Sequence, residues 1–115
     1  RGLTELNLSN FNTSRVTNMS YMFYWMSNLQ TLDISGFNTT NVTKFDSMFS
    51  TARRLATIKV ANSFNSSSMV TDVNVFSDNR ALVGGNGTAY SATNPSGVEY
   101  ARIDQAGQPG YFTAI

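Results

Sequence analysis

Apolar and polar residues first alternate along this chain and then fall into a longer rhythm. In Leu3-Thr4-Glu5-Leu6-Asn7-Leu8-Ser9 the end of the segment has period two, which predicts a strand with one buried face. Leu6 and Leu8 point inward, and Glu5, Asn7 and Ser9 point the other way. Beyond a Phe11-Asn12-Thr13 turn, the apolar positions are Val16, Met19, Met22, Phe23 and Met26. Their spacing of three, three, one and three predicts an amphipathic helix of about three turns, with Thr13 or Ser14 as N-cap.

The whole pattern then recurs. Leu29-Gln30-Thr31-Leu32-Asp33-Ile34-Ser35 repeats the first segment at an offset of 26, and Leu55-Ala56-Thr57-Ile58-Lys59-Val60-Ala61 follows after another 26. Ten of 26 positions are identical between the first two units, including Phe-Asn-Thr, Val-Thr and Met-Phe. The third unit is looser: Phe64-Asn65-Ser66, Val70-Thr71 and Val75-Phe76 stand in the corresponding places. The second predicted helix carries Val42, Phe45, Met48, Phe49 and Ala52, with Thr39 or Thr40 as N-cap. One strand and one helix cannot bury a core alone, whereas stacked copies can. The expected architecture is an α/β repeat solenoid, with a parallel sheet on one face and short helices on the other. Its units are residues 3–28, 29–54 and 55–81, which together with the first two residues form the array 1–81.

Asn12, Asn38 and Asn65 each follow a phenylalanine at one corner of the unit. An asparagine there can bond the backbone of its own turn and that of the next unit; the simpler reading is a turn residue at the surface. A fourth start at Leu82-Val83 dissolves into Gly84-Gly85-Asn86-Gly87-Thr88. Residues 82–115 hold 6 of the 8 glycines and both prolines. They read as a C-terminal β cap of short strands, with a turn and strand over 84–90 and an alternating strand over 98–103.

These residues resemble the leucine-rich-repeat bacterial surface proteins of the BspA type. The motif of Leu-x-x-Leu-x-Leu, Phe-Asn-Thr, Val-Thr and Met-Phe matches closely over 3–23 and 29–49, and loosely over 55–76. The tail is similar to segments that close such arrays in Gram-positive surface proteins. Asp33 supplies the aspartate usual in that motif, while Asn7 and Lys59 replace it in the other units, and the Gly-Cys that follows Met-Phe there is absent. The resemblance implies a leucine-rich-repeat-like fold and an extracellular, cell-surface or wall-associated protein. It also implies adhesion to a host protein, a glycan or other cells.

Composition narrows the chemistry. The 115 residues include neither His nor Cys, which removes His-dependent triads, cysteine nucleophiles and ordinary zinc sites. Eight basic against seven acidic residues give no electrostatic handle for nucleic acid. The longest strongly apolar stretch, residues 21–26, is far short of the ~20 residues that span a bilayer. The opening Arg1-Gly2 falls directly within a patterned segment, so further repeats are expected upstream. Asn, Ser and Thr total 40 residues, suited to a chain of regular turns.

Weak chemical signals remain. Gly84-Gly85-Asn86-Gly87-Thr88 lacks the ending of a phosphate loop and reads as a turn. Asp72, Asn74, Asp78 and Asn79 do not have calcium-loop spacing and read as a solvated loop. Glu5 and Asp33 are two positions out of step in the repeat, and no apolar pocket is expected to raise either pKa as a glycosidase needs. No enzyme, cofactor or metal is expected. Two surfaces stand out for binding: the polar sheet face of Glu5, Asn7, Thr31, Asp33, Thr57 and Lys59, and an aromatic group of Tyr21, Tyr24 and Trp25. That group is either an anchor patch or a surface for an upstream unit. Adhesion through the sheet face is the first functional expectation, and a structural spacer that displays another domain is the alternative.

Overall fold

A computed structural model describes residues 4–61, 64, 68, 70–71, 73–93 and 97–114. Four short strands form one sheet in the order β1-β2-β3-β4: Glu5–Asn7, Thr31–Asp33, Thr57–Val60 and Phe112–Ala114. Every neighbouring pair is parallel. The 26-residue offset becomes the register: Leu6 stands beside Leu32, and Leu32 beside Ile58. Leu32, Ile34, Ile58 and Val60 are fully buried, as the alternation predicts.

The predicted helices do not form. Among the described residues the only helical turn is the 3-10 segment Val98–Tyr100. Residues 19–25 instead build a second ladder between units. The amides of Met19, Tyr21, Phe23 and Trp25 donate to the carbonyls of Lys44, Asp46, Met48 and Ser50, at 2.9–3.0 Å. Those of Phe45, Ser47, Phe49 and Thr51 donate in the same way to Thr71, Val73, Val75 and Ser77. Between them run tight turns, such as Met22 N–H to Met19 C=O and Tyr24 N–H to Tyr21 C=O.

The backbone explains the difference. Tyr21, Trp25, Ser47, Thr51, Asn74 and Asp78 all have positive φ, between 54 and 65°. These are two matched positions in each of three units, four residues apart. A left-handed residue every fourth position breaks a right-handed helix and turns alternate amides sideways towards the next unit. A run of four-residue turns still brings Met19 and Phe23 inward, so its apolar spacing imitates the helical period. Thr13, Ser14, Thr39 and Thr40 therefore have no helix to cap.

The core is a column of like residues. Phe23, Phe49 and Phe76 stack with centroids 5.7 and 5.3 Å apart and rings within 11° of parallel, and Tyr111 closes the column edge-on at 5.0 Å. Burial of each such ring contributes about 1.5–3 kcal/mol. The first unit is less covered than the second. Phe11 is 59% exposed where Phe37 is 0%, and Met22 is 39% where Met48 is 0%.

The asparagine corner differs from the cross-unit expectation. Asn12 Oδ1 accepts the amide and hydroxyl of Ser14, and Asn38 Oδ1 accepts the amide of Thr40, so both brace their own turns. Asn65 and Ser66 lie outside the described residues, as does Leu3. The neighbouring threonine does bond across units. Thr13 Oγ1 accepts the Asn38 amide at 2.8 Å and donates to the Asn38 carbonyl at 3.0 Å.

The tail also departs from its reading. Residues 98–103 are not a strand: their first part is the 3-10 turn, and Ile103 makes one isolated bridge to Phe112. The strand of this region is β4, which pairs with β3 from Ile58↔Phe112 to Val60↔Ala114. The turn over 84–87 is present, with a Val83↔Ala89 bridge behind it. No helix among the described residues is long and apolar enough to cross a membrane.

Candidate functional site

The strand register gathers the six polar candidates into two rows. Glu5, Thr31 and Thr57 form one, and Asn7, Asp33 and Lys59 form the other, with Thr113 of β4 extending it. Adjacent strands lie ~4.8 Å apart, so each row is a closely spaced line of side chains. Glu5, Asn7 and Lys59 are exposed, while Thr31, Asp33 and Thr57 are half-buried.

Part of this chemistry is used internally. Asn7 Oδ1 accepts the Ser9 amide and Asp33 Oδ1 accepts the Ser35 amide, both at 2.9 Å. These bonds fix the turn that leaves each strand. Lys59 has no acceptor to do the same, and its ammonium remains at the surface. The rows therefore offer hydroxyls, an amide, a carboxylate and an ammonium. Such a set can bond peptide backbone or saccharide hydroxyls. Glu5 lies across from Thr31 and Asp33 across from Asn7, so the two carboxylates are diagonal rather than paired.

The aromatic group is brought together as well. Tyr21, Tyr24 and Trp25 are 60, 43 and 61% exposed. Tyr24 meets Tyr21 edge-on at 5.5 Å and Trp25 at 6.1 Å. The calcium candidates do not converge. Asp78 is held by Arg53 and Arg80, each through Nε at 2.7 Å. Asn79 is buried and donates its amide to the carbonyls of Phe49 and Ala52, and Asp72 lies outside the described residues. The Arg53 and Arg80 hydrogen bonds hold the Asp78 carboxyl below its ordinary pKa.

Sequence reasoning missed Asp104. Its carboxylate is buried in the tail, where Oδ2 accepts the amides of Asn86 and Thr88 at 2.9 Å. Oδ1 accepts the Thr88 hydroxyl at 2.7 Å and the Gly110 amide at 3.2 Å. Burial pushes this carboxyl up, and the bonds from Thr88, Gly110 and Asn86 together outweigh it, so its pKa is lowered. The glycine-rich turn does hold an anion, and the anion belongs to the chain itself. A Cβ on Gly84 would strike the Gly110 carbonyl and Asp104, which is why this approach needs glycine. The one sequence signal was a single aspartate in a tail full of turns.

No curated protein and no solved structure matches the chain. A family model described as "Mycoplasma protein of unknown function, DUF285" matches residues 3–87, a stretch that includes β1, β2, β3 and the second ladder. The chain belongs to the DUF285 family.

Proposed function

We propose that the chain is a non-catalytic repeat module of a bacterial surface protein, and that it binds an extracellular protein or glycan through its sheet face. In this reading the fold is a leucine-rich-repeat-like solenoid of turn-built units, with the β4-bearing tail as its cap. The observation that carries it is the pair of in-register polar rows on one solvent-facing sheet. The likeness of the repeat to BspA-type surface proteins supports the extracellular setting. The test is binding to immobilised matrix proteins and glycans, with the Asp33→Ala/Lys59→Ala variant alongside. Saturable binding that the variant loses supports the sheet face; equal binding by both proteins moves the site elsewhere.

A second reading, a spacer within a longer array, rests on a different observation. Lys44, Asp46, Met48 and Ser50 receive amides from the first unit. Their counterparts Asn18, Ser20, Met22 and Tyr24 have carbonyls that accept nothing among the described residues. A row of acceptors cannot pair with an identical row, whereas another unit of the same pattern would supply the donors. Placing a copy of residues 29–54 directly ahead of Leu3, which keeps the 26-residue spacing, should then raise the melting temperature and shift Trp25 emission to the blue. An array role without ligand binding would leave the immobilised panel empty.

A further inference from the structure

The arginine corner is a different place with a different chemistry. A shallow recess of about 330 Å³ is lined by Gln30, Arg53, Arg54, Ala56 and Ala81. Gln30 and Ala56 immediately precede β2 and β3, so the recess opens at the start of the sheet strands. No carboxylate lines it. Asp78, the acid beside it, is already shared between Arg53 and Arg80, and both guanidinium groups use Nε for that bond. An arginine held by Nε keeps its two terminal nitrogens for another partner, and its plane is fixed by the bond it has made. Among the described residues nothing occupies the terminal nitrogens of Arg53 or any donor of Arg54. The repeat does not require these charges, because Ser27 and Asn28 stand at the matching positions of the first unit.

We propose that this recess binds a single oxyanion, held by the terminal nitrogens of Arg53, the Arg54 guanidinium and the Gln30 side-chain amide. The donors suit a sulfate or carboxylate group, since both present paired oxygens to a guanidinium fork. Asp78 acts as a positioning residue that keeps Arg53 turned outward. The site is independent of the sheet-face reading, because its residues do not include Asp33 or Lys59.

The test is a titration of the ¹⁵N-labelled full chain with sodium sulfate and, separately, sodium acetate. Ionic strength is held constant with chloride, and the arginine Nε–Hε signals are followed. Saturable movement of the Arg53 signal with either anion is expected, and the anion that saturates tells tetrahedral from planar preference. Arg54→Gln should weaken the binding about tenfold, while Arg15→Gln, on the first unit, leaves it unchanged. Arg54 is exposed and makes no bond that folding needs, so the variant keeps its fold. Linear, non-saturating shifts with both anions would overturn the proposal. So would an Arg54→Gln curve that superimposes on the unmodified protein's.

Discussion

Replacing Asp104 tests whether one internal carboxylate holds the tail together. In Asp104→Ala, the amides of Asn86, Thr88 and Gly110 and the Thr88 hydroxyl lose their acceptor. The Gly110 amide is buried and has no route to water, which costs about 1–3 kcal/mol. The Asn86 and Thr88 donors are partly buried and recover some hydration, so the whole loss should be about 3–4 kcal/mol. Asp104→Asn keeps one acceptor oxygen but sets an NH2 group against donors on the other side, for a loss of about 1–2 kcal/mol. The assay is urea unfolding at neutral pH, comparing midpoints at constant m-value. Acid adds a second readout. Because the folded pKa lies below the ordinary 3.8, this stabilisation is present above about pH 4 and is lost as pH falls through the folded value. Asp104→Asn should lack that part of the acid limb. If both variants unfold within about 0.5 kcal/mol of the unmodified protein, the carboxylate is not the clasp of the tail.

Three further perturbations probe the units themselves. Phe49→Ala removes the middle ring of the stacked column and should cost about 3–5 kcal/mol in the same unfolding assay. Thr13→Val keeps the shape but deletes both bonds to the Asn38 backbone; a loss of about 1–2 kcal/mol is expected, together with faster amide exchange at Asn38. Thr51 is a β-branched residue at φ 65°, so Thr51→Gly should raise stability by about 1 kcal/mol despite the added freedom of the unfolded chain. A melting temperature that falls instead would mean the hydroxyl contact with Ser50 matters more than the backbone strain.

The strands and their register were legible because period two is unambiguous and a repeat offset translates directly into pairing. Leu6, Leu32 and Ile58 fall where the alternation puts them. The turn runs were not legible as turns, because Met19 and Phe23 are spaced as on a helix, and the left-handed residues of the first two runs are Tyr, Trp, Ser and Thr rather than glycine. Only Asn74 and Asp78 carry the usual signature of that conformation. The repeat offset puts the sheet-face residues in two in-register rows, but the turn-bracing bonds of Asn7 and Asp33 depend on backbone geometry that spacing does not encode. Asp104 was hidden for a further reason. Its partners are 6 to 18 residues away in a segment without periodicity.

The two ladders behave like two rulers laid across the same chain, and they disagree by one residue in the third unit. Along the strands, Leu32 meets Ile58 at an offset of 26, whereas in the second ladder Lys44 meets Thr71 at 27. The extra residue must therefore be taken up between Val60 and Thr71, in the corner that belongs to neither ruler. Length changes in this protein thus have an address. An insertion at that corner leaves both sets of marks aligned, while one placed within residues 19–25 or 45–51 shifts every mark beyond it and exchanges inward for outward side chains. Such a chain can lengthen by whole units or vary at its corners, and the spacing of its ladders resists change elsewhere.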